Sequence, residues 1–481
     1  MMDFNWALLN TEFLLLGLML LVFLVDLFVP SKRVPAWITV VGLVFLFFVN
    51  LLAPHYGSTL NGTLVHNSFT AFLKGVFLLA GLITSLGALS TLGRFERRAG
   101  EFYLLLLASL LGMMLVVSAR ELVLFFVAFE LMSIPLYVLA AYEKDNERSV
   151  EAGLKLFIYG TFSSALLAMG VTLMYGVVGS TLFRDLASGL SQAEPLAVLG
   201  LVLFLAGVGF KVAMVPFHMW VPDTYEGAPT PFVAFLAVAP KAAGFAILFV
   251  FFLSLFQDLT PLWKVVIAFF SGITMIIGNL LALPQTNLKR LLGYSGIAHI
   301  GYMLLAVAAG TERAIAFVLF YFVAYVLSNM GAFLFAEVVR QNEGSEELQV
   351  LHGYAQRNPL LSLYMLVFLL SLGGIPFVMG FWAKLYVFLA AVQSGLVLLV
   401  FLGAVLTVVA LFYYLNVARQ MYIEKPQEAE KLQAPVRVPG SIHVVLALST
   451  LAVALLGLYP KLVVSPALEA AHSFLQTLAG F

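Results

Sequence analysis

Long apolar runs separated by short polar breaks dominate the chain. A helix that crosses a membrane needs about 20 mostly apolar residues. Dividing the chain at its charged, proline-rich and glycine-rich positions leaves fourteen runs of about this length or longer. They lie at 9–29, 35–53, 69–92, 102–118, 121–141, 151–177, 196–221, 230–256, 261–283, 289–309, 313–340, 358–395, 398–422 and 442–464. The pattern predicts an all-α polytopic membrane protein with about fourteen transmembrane helices, and a membrane lipid environment for most of its surface.

Composition narrows the kinds of chemistry that this chain performs. Hydrophobic residues make up 62% and charged residues 10%, whereas soluble domains carry about 25% charged residues. The net charge of zero gives no reason to expect a nucleic-acid partner. The chain has no cysteine, and it lacks a phosphate-binding loop, a dinucleotide fingerprint and a metal-ligand spacing. We therefore predict no cofactor and no metal on this chain, and assign any redox chemistry to another polypeptide.

Basic residues are distributed unevenly between alternate loops. One set of loops contains Lys32, Arg33, Arg94, Arg97, Arg98, Lys144, Arg148, Lys289, Arg290, Arg340, Arg357, Arg419, Lys425, Lys431 and Arg437. The other set contains only Arg120, Arg184, Arg313 and Lys461. Loops rich in Lys and Arg stay on the cytoplasmic side. The bias predicts cytoplasmic basic loops and both termini outside the cell.

Five titratable groups fall near the middle of predicted spans: Glu130, Lys211, Lys241, His299 and Lys384. A charge at the bilayer centre costs at least roughly 2.5–3.5 kcal/mol on insertion scales, and such residues usually face the bundle interior and serve a function. A structural ion pair or a side chain that extends to the surface is the alternative for each of them. Five such groups at similar depth on five spans favour a functional row.

Other polar residues in the spans have plainer explanations. Lys74, Lys264 and Glu337 lie close to the ends of their runs, and we interpret them as surface-reaching charges or structural ion pairs. Asn329 is interpreted as an interhelical hydrogen-bonding residue rather than part of a water chain. His218 is open to two interpretations, a proton relay or a partner for a carbonyl freed by the neighbouring proline.

Two of the charged runs also contain helix-breaking residues. Pro216 and Pro376 lie in the middle of their runs with glycines nearby, and neither can donate the helical hydrogen bond. The sequence around them nearly repeats, as VPFHMW at 215–220 and IPFVMGFW at 375–382. Paired interrupted segments in two halves of a chain indicate a transporter built from repeats, with its site at the membrane midplane.

Four segments resemble the antiporter-like membrane subunits of respiratory complex I, the NADH-quinone oxidoreductase. They are FVAFELMSIPLYVLAAYEKDNERSVEAGLKLFIYGTFSSALLAMGVTLMYGVVGST, GFKVAMVPFHMWVPDTYEGAPTPFVAFLAVAPKAAGF, NLKRLLGYSGIAHIGYML and SLGGIPFVMGFWAKLYVF, which together run from about 120 to 390. The resemblance implies fourteen helices, two inverted five-helix repeats and breaks in helices 7 and 12. It implies four parts: an N-terminal three-helix segment at 1–101, repeats at 102–256 and 257–422, and a C-terminal helix with its tail at 423–481.

The same resemblance assigns roles to individual residues. Glu130 resembles the family's glutamate on helix 5, and Lys155, Lys211, Lys241 and Lys384 resemble its lysines on helices 6, 7, 8 and 12. Lys155 lies only about four residues inside its run, nearer to the membrane surface than the others. With His299 they form a predicted relay from Lys211, assisted by Lys155, through Lys241 and His299 to Lys384.

The resemblance also implies partners and a location. The chain is expected in the bacterial inner membrane with other membrane subunits of complex I, including sister antiporter-like subunits. NADH, FMN, iron–sulfur clusters and quinone are expected on partner subunits, and quinone reduction there is expected to drive proton transfer. A subunit of a cation/proton antiporter or of a membrane-bound hydrogenase complex remains an alternative, as do a secondary carrier for an organic solute and a purely structural scaffold.

Overall fold

A computed structural model describes residues 5–52, 56–95, 98–190, 195–425 and 435–479 of the chain. The basic loop residues Arg97 and Lys431 lie outside the described residues. The helices are α1 Asn10–Phe28, α2 Arg33–Leu52, α3 Ser68–Ala88, α4 Leu92–Phe95, α5 Ala99–Ser118, α6 Leu122–Ala140, α7 Glu147–Val178, α8 Phe183–Gly189, α9 Pro195–Val212, α10 Trp220–Gly227, α11 Thr230–Leu236, α12 Ala239–Val250, α13 Thr260–Ala282, α14 Leu288–Ala309, α15 Glu312–Glu343, α16 Tyr354–Arg357, α17 Pro359–Gly373, α18 Met379–Gln393, α19 Val397–Tyr422, α20 Gly440–Leu458 and α21 Lys461–Ala479. Short 3₁₀ helices occur at Trp6–Leu9, Leu89–Thr91, Gln257–Leu259 and Leu348–Leu351, and a π-helical turn at Phe251–Leu255.

These helices confirm the predicted membrane architecture. Among the described residues, 13 helical stretches are long and apolar enough to cross a membrane. The shorter apolar pair α17 and α18 lies end to end in the twelfth predicted run, which brings the total to fourteen. The stretch from α11 to the π-helical turn, α14 and α15 are almost wholly buried, whereas α1, α2 and α19 expose large apolar side chains. The centre of the bundle is therefore formed by the helices that carry Lys241 and His299 and by α15.

Local sequence signals set several helix ends. Asn67 caps α3 in a reciprocal capping box with Thr70, and the Thr311 side chain accepts from the first turn of α15. Gly310 and Gly344 end α14 and α15 with φ of 62° and 70°. A residue at positive φ after a helix is usually glycine, because other side chains pay a steric cost there. Such stops are why many predicted and observed boundaries agree to within a few residues.

Three elements depart from the sequence-based expectation. An antiparallel hairpin pairs Gly57–Thr59 with Leu64–His66, a small exception to the all-α prediction. The eighth run is divided into α11 and α12 by the non-helical residues 237–238. The last run was expected to end at 464, but a separate helix, α21, follows and packs on α3 and α15. Its mixture of apolar and polar positions falls below the hydropathy of a membrane span, which explains why the pattern did not reveal it.

One end of the bundle collects an interlocked set of ion pairs. Arg94 contacts Glu337 at 3.2 Å and Glu143 at 3.7 Å, and Arg340 contacts Glu143 at 2.7 Å. Burial alone would raise the pKa of the Glu143 carboxyl, but Arg340, a hydrogen bond from Asn146 and Arg94 hold it below its usual range. Arg94, Glu143 and Arg340 come from loops predicted to be cytoplasmic, and Glu337 lies one turn before Arg340 on α15. The basic loops therefore meet at one end of the molecule, which we call the basic end.

Candidate functional site

The first helix break lies directly after Lys211. This lysine is the penultimate residue of α9, and Ala213 beyond it adopts φ of 64°. The chain then turns through a cis Val215–Pro216 peptide, and the Val215 amide donates to Thr274 Oγ1 of α13 at 3.1 Å. The carbonyl end of a helix carries partial negative charge. The break therefore places the Lys211 ammonium where a positive charge is favoured and ties the first half of the chain to the second.

Lys211 has an aromatic surrounding with one carboxylate nearby. Its side chain is 5% exposed, and its Nζ lies 5.2 Å from the ring centre of Phe129 and 5.6 Å from that of Tyr137. The Glu130 carboxylate interacts electrostatically with Lys211, and its Oε1 is buried with no hydrogen-bond partner among the described residues. The described residues contain no direct Glu130–Lys211 ion pair. The two predicted partners are thus neighbours that the structure holds apart.

His218 lies in the turn between α9 and α10. Its side chain is buried, and Trp220 two residues later donates from Nε1 to the carbonyl of Phe210 at 3.1 Å. The Phe210 carbonyl also accepts from the Ala213 amide at 3.0 Å, so Trp220 adds a second hydrogen bond at the end of α9. His218 remains a buried titratable group beside the first break, and its role stays a prediction.

Lys241 lies at a break that the sequence did not reveal. It is the third residue of α12, after the non-helical residues 237–238, and its side chain is fully buried. Its Nζ lies 5.4 Å from the Tyr225 ring centre and has no hydrogen-bond partner among the described residues. A Cβ on Gly296 would lie 3.5 Å from that Nζ and 2.9 Å from the Tyr325 hydroxyl. Gly296 therefore leaves room for the ammonium and the hydroxyl to approach each other.

His299 is surrounded by tyrosines from two other helices. Its Nδ1 hydrogen-bonds with the Tyr321 hydroxyl at 2.6 Å, and its Nε2 with the Tyr414 hydroxyl at 3.1 Å. The Tyr325 ring centre lies 5.1 Å from that of His299. Both nitrogens of the imidazole are thus engaged by hydroxyls, which both donate and accept protons. Tyr325 packs its ring on this histidine, and its hydroxyl has no hydrogen-bond partner among the described residues.

Lys384 spans the second helix break. It lies in α18, beyond Pro376, and its Nζ donates to the carbonyl of Gly373, the last residue of α17, at 3.2 Å. Gly374, with φ of 83°, ends α17 and passes close to the lysine side chain. The ammonium also lies 5.0 Å from the Tyr302 ring centre. As at Lys211, the negative end of an interrupted helix receives a lysine.

A polar link joins His299 to Lys384. The Asn279 amide donates to the Tyr302 hydroxyl at 3.2 Å, and the Tyr413 hydroxyl donates to Asn279 Oδ1 at 3.2 Å. The Tyr413 and Tyr414 rings pack 4.5 Å apart. Sequence reasoning missed these tyrosines because tyrosine is an ordinary residue of apolar helices. The available signal was the one-turn spacing of Tyr321 and Tyr325, which places both on the same face of one run.

Lys155 lies outside this buried row. It pairs with Glu151 at 2.6 Å and Asp223 at 2.7 Å, beside a cavity of about 200 Å³ at the basic end. Arg290 contacts Asp223 at 2.8 Å and Glu226 at 3.1 Å. Burial alone would raise the pKa of the Asp223 carboxyl, but Lys155 and Arg290 hold it below its usual range. Lys155 is thus part of a partly exposed charge cluster, as its shallow sequence position suggested.

The structure therefore divides the predicted residues into three groups. Lys241, His299 and Lys384 share one buried polar cluster, Glu130 and Lys211 form a neighbouring pair, and Lys155 lies at the basic end. In the part of the chain that the structure describes, no group of three or more His, Asp or Glu side chains is placed to hold a metal ion. The arrangement suits the transfer of protons between buried groups.

Fold and site together define an antiporter-like membrane protein. The family model described as NADH:quinone oxidoreductase/Mrp antiporter, TM, matches residues 119–410, more than half of the chain. A NADH-quinone oxidoreductase subunit N from Heliobacterium modesticaldum is 40% identical over 480 residues, covering 98% of this chain and 99% of the relative. The chain belongs to the subunit N family of NADH-quinone oxidoreductases.

Solved structures share the fold over nearly the whole chain. A chain of the respiratory complex I from Thermus thermophilus with bound aureothin matches with a TM-score of 0.81 and 34% identity, over 96% of this chain and 99% of that chain. A chain of the Mrp complex from Dietzia sp. DQ12-45-1b matches with a TM-score of 0.88 at 19% identity, over 98% and 99% of the two chains. The second likeness concerns the fold alone.

Proposed function

We propose that this chain is a proton-translocating subunit of an NADH-quinone oxidoreductase. The observation that carries the proposal is the row of buried titratable groups Lys241, His299 and Lys384 in the centre of the bundle, with tyrosine hydroxyls on both nitrogens of the imidazole. Family membership supports the same function. The chain itself supplies no redox group: NADH, FMN, iron–sulfur clusters and quinone belong to partner subunits, and sister antiporter-like subunits adjoin it in the membrane.

The pair of Glu130 and Lys211 forms the first switching point. Removal from water disfavours a charged ammonium, and a nearby carboxylate favours it. A small movement that changes the distance between these side chains therefore changes how tightly Lys211 holds its proton. Moving one proton against about 150 mV requires roughly 3.5 kcal/mol at 2.3 kcal/mol per 100 mV. Interactions between buried charges reach this size.

The second half carries the proton onward from Lys241. The positive end of α12 repels an ammonium on Lys241, whereas the carbonyl end of α17 attracts one on Lys384. Tyr325, His299 and the other hydroxyls between them donate and accept hydrogen bonds. With water in the remaining gaps, a proton released by Lys241 passes to Lys384 through these hydroxyls and His299. Each of these groups carries the added charge only briefly.

The basic end is the side of proton entry in this proposal. Lys155, with Asp223 and Glu151, lies at its surface and serves as an entrance that attracts protons toward Lys211. We infer from the asymmetry of basic loops that this end faces the cytoplasm of a bacterial cell, with both termini outside and exit beyond Lys384. The repeats at 102–256 and 257–422 then correspond to an entry half and an exit half.

Two substitutions test the function directly. The complex carrying Lys211→Met or Glu130→Gln should assemble and oxidise NADH with quinone, but pump protons into vesicles more slowly than the native complex. Measuring pumping and NADH oxidation on the same vesicles separates a coupling defect from a catalytic one. An unchanged proton yield in both variants contradicts the assignment of this pair.

A second candidate function is supported by the fold shared with the Mrp complex. A subunit of a cation/proton antiporter, or of a membrane-bound hydrogenase complex, would use similar proton-transfer groups. Vesicles that contain this chain with its membrane partners, but without NADH oxidation, distinguish the two functions. A pH change on addition of sodium favours the antiporter, and its absence together with NADH-driven pumping favours the proposed function.

A further inference from the structure

Helix α15 carries a line of polar groups of which the relay described above uses only Tyr325. Tyr325, Asn329 and Glu337 lie at intervals of one and two turns along it, and all three are buried. Phe333 occupies the turn between Asn329 and Glu337, and its ring lies 5.7 Å from that of Tyr225 on α10. Tyr225 also lies under the Lys241 ammonium. The line therefore runs from the basic end to Lys241.

Most of the polar atoms along this line have no protein partner among the described residues. Asn329 is fully buried, and neither its amide nitrogen nor its oxygen has a hydrogen-bond partner among the described residues. The same holds for the hydroxyls of Tyr225 and Tyr325, for Lys241 Nζ and for Glu337 Oε2. This finding contradicts the interpretation of Asn329 as an interhelical hydrogen-bonding residue.

Water is the partner that such atoms require. A buried polar atom left without a hydrogen bond costs about 1–3 kcal/mol, and buried water typically satisfies groups of this kind. Several unpartnered atoms in succession are too costly unless water occupies the space between them. A file of ordered water between titratable groups also conducts protons. The unpartnered atoms thus give a reason for hydration along this line.

Glu337 connects this line to the surface. Its Oε1 accepts from Gln341 at 2.7 Å and lies 3.2 Å from Arg94. The Arg94 side chain is 34% exposed and also pairs with Glu143. One carboxylate oxygen is thus held by groups at the basic end, while the other is buried without a partner. Glu337 is placed to take a proton from the surface and pass it inward.

We propose that Glu337, Tyr225, Asn329 and Tyr325 line a second, water-filled proton-uptake branch that loads Lys241 without passing through Lys211. The proposal rests on the proposed proton-translocating function and adds an entrance to it. Glu337 is the loading group of this branch, and Asn329 positions its water. The ion pair that the sequence suggested for Glu337 then involves only its Oε1, and its Oε2 belongs to the branch.

Asn329→Leu tests the branch with little risk to the fold. Leucine has a similar volume, and replacing an amide that has no protein partner by an apolar group costs little stability. The intact complex carrying this variant, reconstituted in vesicles, should pump protons at about half the native rate, because the entrance through Lys211 still operates. Adding Lys211→Met should remove the pumping that either single variant retains.

Variants of Glu337 test the same branch independently of Asn329. Glu337→Gln should slow pumping as Asn329→Leu does, and Glu337→Asp should restore it, because only the carboxylate carries a proton. Glu343→Gln is the matched control, since it removes a carboxylate from the same helix that pairs with Arg357 at 2.7 Å outside the branch. It should pump at the native rate.

The outcomes separate this proposal from the proposed function. Native pumping by Asn329→Leu, or equal defects in Glu337→Gln and Glu337→Asp, overturns the branch. If Lys211→Met still slows pumping in that case, the proton-translocating function stands with a single entrance. Native pumping by all the variants, Lys211→Met included, overturns the function itself.

Discussion

At the scale of single residues, the site depends on hydroxyl groups as much as on charges. The lysines and His299 were predictable because a charge in an apolar run is conspicuous. Tyr321 and Tyr414, which bind the two nitrogens of His299, were not predictable, since their phenol rings suit an apolar helix regardless of what the hydroxyl contacts. Only the packing of α14, α15 and α19 brings these hydroxyls to one imidazole.

Tyr414→Phe tests the contribution of these hydroxyls. It removes the hydrogen bond to His299 and leaves the ring in place. A lost hydrogen bond is worth about 0.5–1.5 kcal/mol, so proton pumping should slow by up to about tenfold. Tyr386→Phe is the control, because that partly exposed ring stacks on Phe317 away from the cluster. Equal pumping by the two variants would show that the hydroxyl at Tyr414 has no part in transfer.

At the scale of elements, breaks in helices create the positions where protons are held. Proline and glycine made the breaks after Lys211 and before Lys384 predictable. The break before Lys241 was missed, although Pro240 is a signal for it: proline favours the first turn of a helix, but the uniformly apolar residues before it suggested one continuous span. The hairpin and α21 were not predicted either. The hairpin is short and α21 mixes apolar with polar positions, so long-range packing decides the structure of both.

Gly380→Ala tests how closely the second break is packed. A Cβ at Gly380 would lie only 1.9 Å from the carbonyl oxygen of Ser371, and this backbone cannot yield cheaply. Overpacking of this kind costs about 1–3 kcal/mol, so the assembled complex should lose activity faster on heating. Gly176→Ala on α7 is the control, since nothing lies within 4 Å of the added carbon. Equal half-lives would mean that the break adapts freely.

At the scale of the whole molecule, charge is sorted by position. The ion pairs of Arg94, Glu143 and Arg340 gather at the basic end, whereas the isolated lysines lie in the buried centre. The segmentation and the loop charges predicted this division correctly, because both follow from the cost of placing polar groups in lipid. Which buried groups share a path could not be predicted, since it depends on how helices distant in sequence pack together.

The most direct test of the account compares two lysines of the same chain. Lys241 lies in the buried cluster, whereas Lys264 is only partly buried, near the start of α13, where its ammonium lies 5.9 Å from the Trp263 ring centre. The number of protons translocated per NADH oxidised should be measured on vesicles carrying Lys241→Met or Lys264→Met. We expect the number of protons translocated per NADH to fall clearly for Lys241→Met and to keep the native value for Lys264→Met. A native value for Lys241→Met would contradict the account.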